Sequence, residues 1–429
     1  MRNAMNRWLA MLLGVVFFLG PAPVGCQAAA PTGQATLQQL TNWLATHRGK
    51  ASGLPLSHVG DKRFTNWCFT YDAAVTALAW VALKRTDEAR RIIDFYISTA
   101  HAHRLGGIIE AVSAVPPYDG KDWSVRSGAN LWLGLAAYRL YKATAEPRYL
   151  AFATRLGDFA RGLQQNGGIR LGPSGDPASA VDQHFGYDPA MPAYADVFST
   201  EATIDAFALF HQLQSEPKGK RFRQAAEACL DWLRRVAWNP VDKRFNRGFQ
   251  RSPDYSVASD VQAWGISALG LSRLDNIEKG AAEGMIRFVV AHCQSRVAYT
   301  RPDGITVQVV GIDFVDHGAR AELKRPPLVS PEWTFQLANA YLRLADDFTR
   351  RGNTEKAQHY TRQREMLIDG IMAMATIRNN AAGLPYASLD DAAIGHENRT
   401  PAKGNLSTIG VAYGILALTG YDPLRAAGE

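Results

Sequence analysis

Apolar residues recur along this chain at helical spacing almost from end to end, and alternating strand patterns are nearly absent. Two kinds of helical segment emerge. One is amphipathic and charged: "RTDEARRIIDFYISTAH" (85–101), "PRYLAFATRLGDFARGLQ" (147–164), "KRFRQAAEACLDWLRRVAW" (220–238), "NIEKGAAEGMIRFVVAHC" (276–293) and "TEKAQHYTRQREMLIDGIMAMA" (354–375). The segment "TLQQLTNWLATH", near 36–48, joins this set. The other kind is rich in Ala, Gly and apolar residues and almost uncharged beyond its first turn. It occurs six times: "FTYDAAVTALAWVAL" from Phe69, "SGANLWLGLAAYRLY" from Ser127, "STEATIDAFALFHQL" from Ser199, "SDVQAWGISALGL" from Ser259, "SPEWTFQLANAYLRL" from Ser330 and "LSTIGVAYGILALTG" from Leu406.

An uncharged helix is surrounded by protein, whereas an amphipathic one shows a face to solvent. Successive uncharged segments start roughly 60–75 residues apart, with a charged helix between them. Six buried helices alternating with six amphipathic ones predict an all-α fold, an (α/α)6 toroid in which an inner ring is wrapped by an outer one. A helical solenoid would show a tighter repeat and capping units. The up-and-down order makes the inner helices parallel, so their N-termini gather at one end. The long connections that precede them (102–126, 165–198, 239–258, 294–329 and 376–405) rise on that same side, and loops of such length are usually functional.

Polar residues concentrate at those N-termini: Asp72, Asn130, Glu201, Asp205, Asp260, Gln262, Glu332, Gln336 and Ser407. Acids in a first helical turn are favoured by the unpaired N–H groups and the macrodipole, with Ser199, Ser259 and Ser330 as plausible N-caps. Asp205 lies beyond the first turn, where capping no longer accounts for it. Aromatic and amide neighbours accompany the acids: Trp67, Tyr71, Trp264, Trp333 and Trp132, the last of which reads as core packing. A carboxyl-lined cleft with aromatic platforms suits sugars, whose hydroxyls bond acids and amides while rings stack on pyranose faces.

The N-terminal segment predicts export. Arg2 and Arg7 precede "WLAMLLGVVFFLG" and the small residues of "PAPVGCQAAAP", the pattern of a signal peptide over residues 1–30. Residues 31–429 then form a single toroidal domain. "PVGC" resembles a lipobox that would leave a lipid on Cys26, although Pro23 departs from that pattern, and "AAA" at 28–30 suits ordinary cleavage. A soluble periplasmic or secreted protein is the expectation, and no later segment is long and charge-free enough to span a bilayer. Arg2 and Arg7 are the only charged residues among the first 30, so the formal +7 becomes +5 beyond them. No basic stripe suits nucleic acid. Cys68, Cys229 and Cys293 are too scattered for a disulfide framework. Nothing marks an oligomer surface, and a monomer is expected.

Glycoside hydrolysis needs two carboxyl groups astride the scissile bond, one protonating the leaving oxygen, the other activating water or acting as nucleophile. Burial and a neighbouring carboxylate both raise an acid's pKa toward working pH. Glu201 beside Asp205 has that arrangement, which makes Glu201 the candidate general acid and Asp72 or Glu332 the opposing base. Asp205, Asp260, Gln262, Gln336, Asn130, Trp67, Tyr71, Trp264, Trp333, Tyr187 and Asp122 are the candidate substrate contacts. Around the last two, the connections also offer Tyr118, Asp119, Trp123, His184 and Asp188. Asp313, Asp316 and His317 lack a second ligand spacing, so no metal is expected, and the chain carries no cofactor motif.

The segments "TYDAAVTALAW", "VFSTEATIDAFALF", "SDVQAWGISALGL" and "STIGVAYGILALTGYDP" resemble the bacterial six-hairpin glycosidase-like superfamily, from about residue 38 to the C-terminus. The resemblance implies the toroid and a carbohydrate-active site at the inner-helix N-termini, pointing to Asp72, Glu201, Asp205, Asp260, Gln262 and Glu332. Members of this superfamily include hydrolases, phosphorylases, lyases and epimerases, so fold alone does not settle the reaction. Ala202 and Thr203 depart from the pattern, which has larger polar residues there. The expectation is an exported glycoside hydrolase acting on an oligo- or polysaccharide. Its rivals are a lyase using Tyr187, His184, Arg126 and Asn130 on a uronate-containing glycan, and a non-catalytic glycan-binding component of an exopolysaccharide system.

Overall fold

The computed structural model describes residues 35–175, 194–395 and 398–426. Residues 1–30, read above as a signal peptide, with Cys26, and also His184, Tyr187 and Asp188, lie outside the described residues. Within them the chain forms α1 (Leu37–Thr46), α2 (Thr70–Ala82), α3 (Thr86–Ser98), α4 (Ser127–Thr144), α5 (Pro147–Gly162), α6 (Thr200–Leu213), α7 (Lys220–Trp232), α8 (Ser259–Ile277), α9 (Ala281–His292), α10 (His317–Glu322), α11 (Pro331–Arg350), α12 (Thr354–Met372) and α13 (Thr408–Thr419). The six uncharged segments are α2, α4, α6, α8, α11 and α13. They pack side by side in that order, and α13 closes on α2. The charged helices α1, α3, α5, α7, α9 and α12 each lie against an inner one. The fold is an (α/α)6 toroid.

Burial explains the composition. In α2 every residue from Asp72 to Trp80 is buried, and α13 is buried from Thr408 to Ala417. A helix enclosed on every side has no room for a hydrated charge. Small residues let the inner helices approach one another: a Cβ added at Gly134 of α4 would lie 2.8 Å from Leu209 Cδ2 of α6. Outer helices keep charge outside and apolar residues inside, as with Ile92, Ile93 and Tyr96 of α3.

The connections, read from the sequence as long loops, contain short strands. Each of α3, α5, α7, α9 and α12 runs into an antiparallel β-hairpin, pairing 103–104 with 107–108, 164–165 with 168–169, 238–239 with 244–245, 294–300 with 306–312, and 376–378 with 381–383. Three turn through left-handed residue pairs, Leu105–Gly106, Asn166–Gly167 and Asn379–Asn380, which match the right-handed twist of flanking strands. Short strands also lead directly into inner helices: Trp67–Phe69 into α2, Phe198–Ser199 into α6 and Leu406–Ser407 into α13. Ser199 pairs with Ile169 on one side and Gly248 on the other. Sheet pairing therefore fixes where α6 begins.

Of the three proposed serine caps, only Ser199 serves, accepting from the Ala202 N–H at 3.1 Å. Ser259 is already helical, and the Ser330 hydroxyl donates instead to the Tyr386 carbonyl at 2.7 Å. Below the N-terminal end, the axis of the ring is filled by aromatic rings. Trp132 sits 5.5 Å from Tyr71, 5.1 Å from Trp264 and 6.1 Å from Tyr413, centroid to centroid. At the opposite end the C-terminal tail crosses the ring: the Pro423 carbonyl accepts from Arg139 of α4 and Gln212 of α6, and Arg425 pairs with Asp346 of α11. Cys68, Cys229 and Cys293 are buried free thiols. No helix among the described residues is long and apolar enough to cross a membrane.

Candidate active site

A cavity of about 340 Å³ opens at the inner-helix N-termini. Its position follows from helical register. The second residue of each inner helix is Tyr71, Gly128, Glu201, Asp260, Glu332 or Ile409, and all six line the cavity. Asp72, Trp264, Trp333, Glu110, Arg126, His58, Tyr386 and Arg399 complete much of the wall. Of the residues proposed from sequence, the structure thus brings together Asp72, Glu201, Asp260, Glu332, Tyr71, Trp264 and Trp333.

Two residues further along, the side chains do something else, and here the sequence reading needs correction. The Asn130 amide accepts from the Ile108 N–H at 2.7 Å and donates to the Ile108 carbonyl at 2.9 Å. Gln262 does the same to Phe245, accepting from its N–H and donating to its carbonyl, each at 2.9 Å. Thr203 and Thr334 occupy the equivalent position and accept from the N–H groups of Ile169 and Ile312 at 3.0 and 2.9 Å. These side chains clamp the preceding hairpin to the helix, so Asn130 and Gln262 hold backbone and do not face the cavity. Thr203 is part of this clamp, which explains why a hydroxyl suffices there.

Four more proposed contacts stand off the cavity wall. Asp205 is fully buried beneath Glu201, facing the Trp132 indole. Gln336 is buried one turn below Glu332, to which it donates at 3.3 Å. Trp67 packs on Phe64 and Phe69, each ring 5.6 Å away, one layer back. Asp122 accepts from the Ser124 N–H at 2.9 Å and its hydroxyl at 2.7 Å, the turn chemistry of a short polar side chain. In the same connection, Asp119 pairs with Lys121 and Tyr118 packs on Phe95, while Trp123 is exposed. Asp313 is held by both Arg325 terminal nitrogens at 2.8 and 2.6 Å, Asp316 caps α10, and His317 bonds the Gln294 carbonyl.

The electrostatics favour retained protons. Burial raises Glu201 to about 8, with Asp260 pushing the same way and Arg247 opposing. Burial lifts Asp72 to about 7 against a hydrogen bond from Ser57. Asp260 rises less, to about 6, because the Val261 N–H and Arg247 stabilise its charged form. Glu332 is driven well above the carboxylate range by burial and by Asp72, although the Tyr71 hydroxyl donates to it at 3.0 Å. Tyr71 stands 2.8 Å from the Tyr413 hydroxyl, continuing this chain of oxygens toward the ring axis. Asp205 is raised by burial first and by Glu201 next. Gly128 lies against the pair: a Cβ there would meet Glu201 Oε1 at 3.6 Å and Asp205 Oδ2 at 4.0 Å, ordinary contact distances.

Sequence reasoning missed His58, Glu110, Tyr386 and Arg399, all outside helices, and named Arg126 only for the lyase. Glu110 left a usable signal: it is a lone acid in the apolar run "GGIIEAV". His58 lies in "GLPLSHVGD", a segment without periodicity.

No protein-family model matches the chain, and no curated protein sequence matches it. Solved structures do. A sugar epimerase from a ruminal bacterium aligns over 90% of this chain and 97% of its own, at 11% identity and a TM-score of 0.59. The family 76 glycoside hydrolase α-mannanase of Bacteroides thetaiotaomicron aligns over 90% and 94%, at 11% identity and a TM-score of 0.57. An inactive variant of the α-1,6-mannanase of Salegentibacter sp. HEL1_6, in complex with α-1,6-mannotriose, aligns over 91% and 98%, at 11% identity and a TM-score of 0.56. At such low identity the likeness is one of architecture, and it agrees with the (α/α)6 fold described above.

Proposed function

We propose that this protein is an exported carbohydrate-active enzyme, a glycoside hydrolase in which Glu201 protonates the leaving oxygen. The observation that carries the reading is the set of carboxyl groups on four inner helices, Asp72, Glu201, Asp260 and Glu332, facing one aromatic-walled cavity. Burial holds Glu201 protonated at neutral pH, as a general acid requires. Asp72, with its lower value of about 7, is the better base above neutrality. Asp260 and Glu332 then orient sugar hydroxyls or water, and Trp264 and Trp333 offer ring faces. The leader-like N-terminus supports export, and a monomer suffices for this site.

The mannanase likeness does not carry its substrate across. The inactive Salegentibacter variant has two adjacent aspartates replaced. Adjacent aspartates in this chain occur at 346–347, ion-paired near the far end of α11, and at 390–391, off the cavity wall. An epimerase is the second reading, favoured by a likeness at least as good. For the lyase, the described wall offers Arg126 and Arg399 with His58, Tyr71 and Tyr386 as possible bases, but acids outnumber the two arginines.

The test is a panel of α- and β-glucans, mannooligosaccharides and uronate polymers assayed together for new reducing ends, ultraviolet-absorbing products and epimers by NMR. New reducing ends that vanish in Glu201→Gln support the hydrolase. An unsaturated product, an epimer without cleavage, or binding without turnover would replace it with the lyase, the epimerase or the glycan-binding reading.

A further inference from the structure

In a closed ring of six helices, each helix has one directly across the axis. The packing order α2, α4, α6, α8, α11, α13 sets α6 opposite α13, so Glu201 faces the α13 sector. That helix brings no ionisable group to the cavity. Its second residue is Ile409, and the Thr408 hydroxyl is spent on the Leu56 carbonyl. The sector is filled by His58, which pairs with Ser407 just before α13 and lines the cavity.

His58 is held in one orientation. Its ring lies 4.9 Å from Phe64, 5.9 Å from Tyr386 and 6.1 Å from Phe69. Nδ1 stands 3.3 Å from Asn405 Oδ1; with the amide in this orientation, which leaves Asn405 Nδ2 buried without a hydrogen-bond partner, the oxygen only accepts and Nδ1 carries the proton. Nε2 is then a bare lone pair, with no hydrogen-bond partner among the described residues. Burial lowers the imidazole to about 4, and Arg63 adds to this while Asn405 and Asp61 oppose it; the ring stays neutral in the working range. A neutral acceptor set in an aromatic box does not attract an anion and gives a cation no charge to pair with. It suits an O–H donor on a carbon skeleton whose C–H face can rest on rings.

We propose that His58 is a sugar-binding residue, its Nε2 accepting a hydroxyl of the neutral pyranose held between it and Glu201. This rests on the carbohydrate reading in requiring a sugar in the cavity, but not on which reaction follows.

Histidine-selective ¹⁵N labelling tests it, with the His58 signals assigned by their loss in His58→Gln. The wild-type protein is titrated with methyl α- and β-pyranosides of glucose, mannose and galactose, and binding is followed independently by tryptophan fluorescence. The expected spectrum is that of a neutral ring protonated at Nδ1, whose Nε2 resonance moves when a glycoside binds. His58→Phe is expected to weaken that glycoside about tenfold, the loss of one hydrogen bond, and His58→Gln to recover part of it. A glycoside that binds while the His58 resonances stay fixed, or that binds His58→Phe as tightly, overturns the proposal and leaves the hydrolase reading intact. If none of the six changes the fluorescence, the pyranose assignment falls, and the carbohydrate reading is weakened with it.

Discussion

The clamp between inner helix and hairpin gives a prediction whose size follows from the structure. Asn130→Ala deletes an amide that makes bonds of 2.7 and 2.9 Å to the N–H and carbonyl of Ile108, and a further one of 2.8 Å to the Arg126 carbonyl. Ile108 and Asn130 are fully buried, so water cannot replace those partners without rearrangement. Each buried backbone group left without a partner costs about 1–3 kcal/mol. Two such groups at Ile108, with some relaxation at Arg126, come to about 3–5 kcal/mol, a large share of the 5–15 kcal/mol typical of a domain. Urea unfolding followed by circular dichroism is the assay, with Asn130→Asp keeping one acceptor and losing both donors. Loss of stability without change in glycoside affinity is the expected result. A variant within about 0.5 kcal/mol of wild type would refute the reasoning, since that is the range of an ordinary surface substitution.

Glu201→Gln should lower turnover by about 10²–10⁴-fold at unchanged fold, the usual contribution of a positioned acid, read in a reducing-end assay. The pH–rate profile should be a narrow bell: activity rises as Asp72 ionises near 7 and falls as Glu201 loses its proton near 8. A flat profile between pH 5 and 9 counts against both roles. Stability should fall as pH climbs from about 4 to 8. The cavity acids hold their protons in the folded state but release them near 4 when unfolded, so the stabilisation present at low pH is lost through the folded-state values. Asp205→Asn, uncharged at every pH, should flatten that slope and raise the melting temperature at pH 8; an unchanged slope would mean Asp205 is ionised when folded.

How far the sequence could be read depended on the physical origin of each signal. Enclosure strips charge from a helix where neighbours surround it, above all through its middle turns, so α2, α4, α6, α8, α11 and α13 were visible as composition. The hairpins were not, because strands of two or three residues, such as 103–104 or 164–165, are too short to show alternation. Only their turns left a trace, in "LGG" and "NGG". Without the hairpins, Asp260 and Gln262 look alike: both are polar, both near one helix start. One points into the cavity and the other holds the Phe245 backbone, and only the hairpin's position tells them apart. His58 was beyond reach for a different reason. It enters the ring through a pairing with Ser407, nearly the whole chain away.

The rings of Tyr71, Trp132, Trp264 and Tyr413, packed edge-on and tilted against one another, make the toroid a cup, not a pipe. A long glycan cannot be threaded through the middle and pulled out below. Whatever enters must leave by the same opening, so departure of the cut fragment competes with arrival of the next chain.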